Sequence, residues 1–199
     1  MHDAGGTAGA TAGALTSGMA DWSLMVVAMM VPLVAASVRM VAARSLWRRR
    51  HRAVIAFLAS YLLLWSLAGW VTVAVVTPLL GGLDSPLAVT AALLVAAAWQ
   101  GTSFKQRALM ACHRTAPLAP HGWRASRDCV HYGVLTGLRC VASCWAMMLA
   151  CALAHHSILV MAAASSVAWS ERSTRFGQSW IGQRMSCVVL VVCALLTVL

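Results

Sequence analysis

Residues 53–83, AVIAFLASYLLLWSLAGWVTVAVVTPLLGGL, run without a single charged side chain. About 20 apolar residues in an α-helix are enough to cross the hydrocarbon of a bilayer. This stretch has that length with residues to spare, and Pro78, Gly81 and Gly82 supply a turn at its end. Further along the chain, Ser85–Phe104 and Cys140–Ser170 are also free of charge. Backbone N–H and C=O groups find no water in hydrocarbon, so such runs satisfy themselves by becoming helical. The chain is 61% hydrophobic and 10% charged, where soluble domains carry about 25% charge. That balance leaves too little polar surface to cover a water-soluble core. The expected fold is all-α, a polytopic transmembrane helix bundle.

Charge sets the span boundaries. The first span starts near Trp22, runs through WSLMVVAMMVPLVAASV past Arg39, and stops at Arg44, Arg48, Arg49, Arg50, His51 and Arg52. The second covers about Ala53–Thr77, the third Pro86–Phe104 and the fourth Val130–Ala154. The fifth runs from the His155-His156 corner to Trp169, and the sixth from Met185 to Leu199. With six spans, thirteen of the fifteen Lys and Arg residues fall in the first, third and fifth loops, and Arg39 and Arg139 lie within spans. Five spans would put Arg172, Arg175 and Arg184 on the opposite face, against the positive-inside rule. The expectation is about six spans, with both termini outside the cytoplasm. The net charge of +10 then faces anionic lipid, making the bilayer the expected partner and nucleic acid not one.

Residues 1–20, rich in Gly, Ala and Thr and without a basic start, are expected to be a flexible extracytoplasmic tail and not a signal peptide. Residues 21–199 are expected to be one transmembrane domain. Trp22, Trp47, Trp99 and Trp169 fall near span ends, where interfacial aromatics sit, and Trp65, Trp70 and Trp145 are expected between helices.

Chemistry concentrates in the fourth span, GLRCVASCWAMMLACALAHH, residues 137–156. At about 100° per residue, Cys140, Cys144, Met147, Cys151 and His155 fall within an arc of about 80°. A stripe of thiol, thioether and imidazole selects soft ions, Cu(I) before Zn(II). The first span adds Met25, Met29 and Met40 within about 60°, with Met30 further round. Met161 lies about one turn into the fifth span. In this layout Met25 and Met29 share a level with Met147 and Cys151 in the outer half of the membrane. Cys and Met also serve as plain hydrophobic filler, and Cys187 and Cys193 read that way. Cys112-His113, His121, Cys129 and His131 match no standard zinc spacing. Arg139, about 13 Å into its span, is a costly charge whose expected partner is Glu171, unless it snorkels to the cytoplasmic surface. Paired carboxylates, a nucleophile elbow and phosphate loops are absent from the sequence, so no enzyme is expected.

Four tracts carry a resemblance: WSLMVVAMMVP from Trp22, YLLLW from Tyr61, WQGTSFK from Trp99, and GLRCVASCWAMM from Gly137. They resemble a bacterial family catalogued as predicted metal-binding integral membrane proteins, some of them labelled copper chaperones. The resemblance covers roughly Trp22–Glu171 and implicates Met25, Met29, Met30, Pro32, Cys140, Cys144, Trp145 and Met148. This chain departs from the family pattern at Ser143-Cys144, where adjacent cysteines are usual. It departs again at Thr102-Ser103-Phe104-Lys105, where Thr-Pro-Leu-Lys is usual, and at Ala108, where a second cysteine is usual.

The resulting expectation is a membrane protein that binds or hands on a soft metal, copper, between the first, fourth and fifth spans. The candidate ligands are Met25, Met29, Met30, Cys140, Cys144, Met147, Met148, Cys151, His155 and Met161. Trp145 would pack against or shield them, and the expected partner is an extracytoplasmic metal-accepting or metal-donating protein. Two rival readings stand beside it. One is a small-molecule permease or assembly subunit built on an Arg139–Glu171 pair, and the other a membrane thiol oxidoreductase.

Overall fold

The computed structural model describes residues 4–80, 86–112, 119, 122–154, 157–173 and 179–196, and among them every regular element is helical. Helix α1 is Ala4–Arg44, and a 3₁₀ turn at Trp47–Arg49 leads into α2, Arg50–Val71. A π-helical turn at Thr72–Val76 and the short α3, Thr77–Leu80, extend α2. The widened turn lies just ahead of Pro78, which has no N–H to offer the carbonyl four residues back. Then come α4 (Pro86–Gln100), α5 (Ser103–Cys112), α6 (Gly122–Leu153), α7 (Ile158–Ser173) and α8 (Trp180–Leu196).

The span count differs from the sequence expectation. Three helices are long and apolar enough to cross a membrane: Gly13–Arg44, Trp47–Val76 and Gly122–Leu153. A fourth is reached if Leu87–Gln100 and Ser103–Cys112, bent by 72°, form one broken span. The expected fifth and sixth spans are helices of 16 and 17 residues, about 24 and 26 Å long against a hydrocarbon core of about 30 Å. Among the described residues, three helices, or four with the broken pair, thus reach the length and apolarity of a full span, short of the six expected.

The third expected span, Pro86–Phe104, is broken at Gly101-Thr102. Thr102 turns its hydroxyl onto Trp99 O at 2.8 Å and accepts from Lys105 N at 3.3 Å. It thus caps the start of α5 in the usual side-chain-to-N3 manner. The N-terminal stretch expected to be a tail is helical from Ala4. Extending an existing helix needs no new nucleus, and Ala is the best helix former.

Helix α6 is the hub, packing on α2, α4, α5 and α7, while α1 lies on α2 and α7 and α8 backs onto α4. Its closest partner is α2. A Cβ at Gly133 would overlap the Ser60 hydroxyl and the Phe57 carbonyl, and one at Gly137 would meet Leu64 Cδ1 at 2.7 Å. This Gly-x-x-x-Gly pair lets two backbones approach in the way small residues do between membrane helices. Beside it, Phe57 and Tyr132 stack with ring centroids 5.2 Å apart.

The tryptophans divide differently from expectation. Trp22 is buried at 3% exposure and donates from Nε1 to Trp65 O at 2.9 Å, so it is core and not interface. Trp70, expected between helices, is 62% exposed. Both lie on helices whose apolar surface runs all round, so position along the chain did not reveal which face points inward.

Candidate metal site

Three helices meet at Cys140. The Cys140 thiol lies 3.9 Å from Met30 Sδ on α1 and 3.2 Å from the Tyr61 hydroxyl on α2. All three side chains are buried. One turn along α6 lies Cys144, buried like Cys140, with Ser143 Oγ 3.5 Å from its sulfur. Metal–thiolate bonds are about 2.3 Å long, which sets two sulfurs on one trigonal ion about 4.0 Å apart. The Cys140–Met30 spacing meets that requirement without backbone movement. The donor set is soft and uncharged until a thiol loses its proton, and it suits Cu(I).

The other expected ligands are placed as follows. Met25, Met29, Met148 and Cys151 are buried in the same core. Met147 Sδ accepts from Gln100 Nε2 on α4 at 3.6 Å. Met161 is partly buried against the core, and His155 lies outside the described residues. Among the described residues, no three of His, Cys, Asp and Glu form a metal-binding group, so a site here depends on methionine sulfur. Trp145 neighbours Cys144 in sequence and packs on α4 through its ring. It is 37% exposed and meets Trp99 edge-on at 5.2 Å.

The register between α1 and α6 also differs. These helices run antiparallel, with Met30 level with Cys140 and Ser37 Oγ 3.4 Å from the Tyr132 hydroxyl. The expectation put Met25 and Met29 at the depth of Met147 and Cys151, whereas the level of α1 just beyond them, at Met30, meets Cys140, about two turns of α6 away from Met147. Loop lengths alone do not fix such a slide; the side-chain contacts Met30–Cys140 and Ser37–Tyr132 set it.

The charges are arranged in a way the sequence reading missed. Glu171 pairs with Lys105, both carboxylate oxygens accepting from Nζ at 2.8 and 2.9 Å, with each side chain 3% exposed. Arg139, expected to pair with Glu171, instead donates to Ala111 O at 2.9 Å, which removes the pair on which the permease reading rested. Arg172, expected in a loop, lies in the last turn of α7 and donates from Nη1 to Leu33 O at 3.1 Å. The signal for Lys105 was present in the Trp99–Lys105 tract. It was hidden because the bend that turns Lys105 inward is a tertiary feature.

The four tracts singled out in the sequence converge on this core. Trp22 meets Trp65, Tyr61 meets Cys140, Cys140 meets Met30, Gln100 meets Met147 and Trp99 meets Trp145. A family model described as PpoB2, copper chaperone, matches residues 19–197. The chain belongs to this copper chaperone family. No curated protein and no solved structure matches the chain. The family match spans α8 as well as α1–α7, so the C-terminal helix is part of the family unit and not an appendage. Cys187, on α8, donates to Ala97 O of α4 at 3.3 Å, a structural use of a thiol away from the candidate site.

Proposed function

We propose that this protein is an integral membrane copper-binding protein that carries Cu(I) as cargo and is not an enzyme. The ion would be held by Cys140, Cys144 and Met30 and exchanged with an extracytoplasmic partner protein. The observation that carries this reading is the Cys140–Met30 sulfur pair at 3.9 Å, supplied by two helices and walled by Tyr61 of a third. Membership of a family described as copper chaperones supports the same cargo. Exposed Leu24, Val27, Leu63, Leu67, Leu94 and Leu138 support a lipid-facing exterior, because soluble monomers seldom expose so much contiguous apolar surface. Against an enzyme, the buried carboxylate among the described residues, Glu171, is committed to Lys105.

The test is the copper content of detergent-purified full-length protein, reconstituted with Cu(I) under reducing conditions. Wild type is expected to retain stoichiometric copper. Cys140→Ser and the triple variant Cys140→Ser, Cys144→Ser, Cys151→Ser are expected to retain none. Equal and near-zero copper in all three would mean that the sulfur contact is packing alone.

A further inference from the structure

Sulfur ligands alone do not explain why a site should take Cu(I) and refuse Zn(II), since thiolates hold both ions well. The charge around the site supplies a second criterion. Lys105 and Glu171 cancel one another as a closed pair. Arg172, in the last turn of α7, carries its guanidinium across to α1, one helical turn from Met30. Its Nη1 is anchored on Leu33 O, three residues beyond Met30 on α1, while Nη2 is buried with no hydrogen-bond partner. A buried donor without an acceptor is a costly feature. A thiolate formed on metal loading would give this guanidinium a nearby counter-charge.

We propose that Arg172 is a specificity-determining residue that fixes the charge of the ion this site accepts, admitting monovalent copper and turning away divalent ions. The inference rests on the copper-binding reading above. Loading removes one proton from each of Cys140 and Cys144, and both protons leave to solvent. Two thiolates, one guanidinium and Cu(I) sum to zero. With Zn(II) in the same place the sum is +1, and an uncompensated charge in a low-dielectric interior is strongly disfavoured. Without the guanidinium the balance inverts, and the divalent ion becomes the neutral occupant. Arg172 acts through charge and not as a ligand.

The test uses full-length protein in detergent under reducing conditions, titrated separately with Cu(I), Zn(II) and Co(II), the last reporting thiolate ligation by its visible absorption bands. Wild type is expected to take Cu(I) and to show no Co(II)–thiolate bands. Arg172→Gln, which keeps a donor for Leu33 O, is expected to gain those bands. Its Zn(II)-over-Cu(I) preference is expected to rise by about a hundredfold or more, the scale of one uncompensated buried charge. Arg172→Lys is expected to behave as wild type. A second pair guards against a folding effect: Cys144→Ser should weaken Cu(I), and Cys144→Ser with Arg172→Gln should regain it, because one thiolate and Cu(I) are again neutral. Wild type that binds Cu(I) beside an Arg172→Gln variant that still refuses Co(II), or a double variant without rescue, would overturn the role of Arg172 and leave the copper reading standing. Wild type that binds neither ion would overturn both.

Discussion

Two seams of the bundle are built from opposite materials. Between α1, α2 and α6 lie sulfur, aromatic rings and glycine, with α2 and α6 in close approach at Gly133 and Gly137. Between α5 and α7 lies a sequestered ion pair, Lys105–Glu171, with Arg172 next to it. The first seam gains from every apolar atom it buries. The second consists of groups that cost free energy to bury and persist only because each is held by a partner. On the reading proposed above, the apolar seam would shape a place for an ion, whereas the charged seam would decide what total charge that place tolerates.

The largest expected effect comes from breaking the charged seam. Glu171→Ala leaves Lys105 buried without a counter-charge and is expected to cost about 3–5 kcal/mol. The double replacement Lys105→Met, Glu171→Leu is expected to recover most of that loss. Thermal unfolding in detergent measures both. Equal destabilisation in the single and double variants would mean that the pair is incidental to the fold.

The apolar seam should respond less, and through shape. Gly133→Val places methyl groups where the Ser60 hydroxyl and the Phe57 carbonyl now stand, an overpacking expected to cost about 1–3 kcal/mol. Gly13→Ala is the matching control, because nothing lies within 4 Å of a Cβ there. It should be neutral or slightly stabilising, since Ala favours helix over Gly by about 1 kcal/mol. Similar losses at both positions would mean that the α2–α6 approach is not a close one.

The two seams also differ in how far the sequence reveals them. Cys140 and Cys144 stood out by type and by 3.6-residue spacing, whereas Met30, off the Met25–Met29–Met40 arc, was marked by the family resemblance. Tyr61 was not legible, although it lay in a tract noted for its resemblance, since a lone tyrosine in an apolar helix carries no signal of what faces it. Lys105, Glu171 and Arg172 read as loop residues because charge near a span end normally marks the water boundary. Here α7 runs on to Ser173 and α5 turns inward after Thr102, so the charges lie inside the bundle. The helical class was legible from composition, whereas the number of spans was not. Hydropathy marks apolar segments, but it does not say which of them reach the full bilayer thickness.

Within the apolar seam, Tyr61→Phe isolates the hydroxyl that touches Cys140. It removes one hydrogen bond, worth about 0.5–1.5 kcal/mol, and leaves the ring in place against Phe57, whose centroid is 6.4 Å away. Cu(I) affinity is expected to change by about tenfold or less, read by competition with a Cu(I) chelator. A total loss of copper would instead make Tyr61 a ligand and move the centre of the site towards α2.

The smallest expected effect is the sharpest test of where the site ends. Cys151 shares a helix face with Cys140 and is equally buried, so type and burial do not distinguish them. Position does, because eleven residues of helix separate them, about 16 Å, and one ion with bonds of about 2.3 Å does not span that distance. Met147, between them, points its sulfur at Gln100 and offers no bridge. Cys151→Ala is therefore expected to leave copper stoichiometry and affinity unchanged, where Cys140→Ser abolishes binding. If Cys151→Ala loses copper as completely, the ion is not confined to the Cys140 level. The whole stripe then acts as a path along α6, and the division between a site-forming seam and ordinary core gives way.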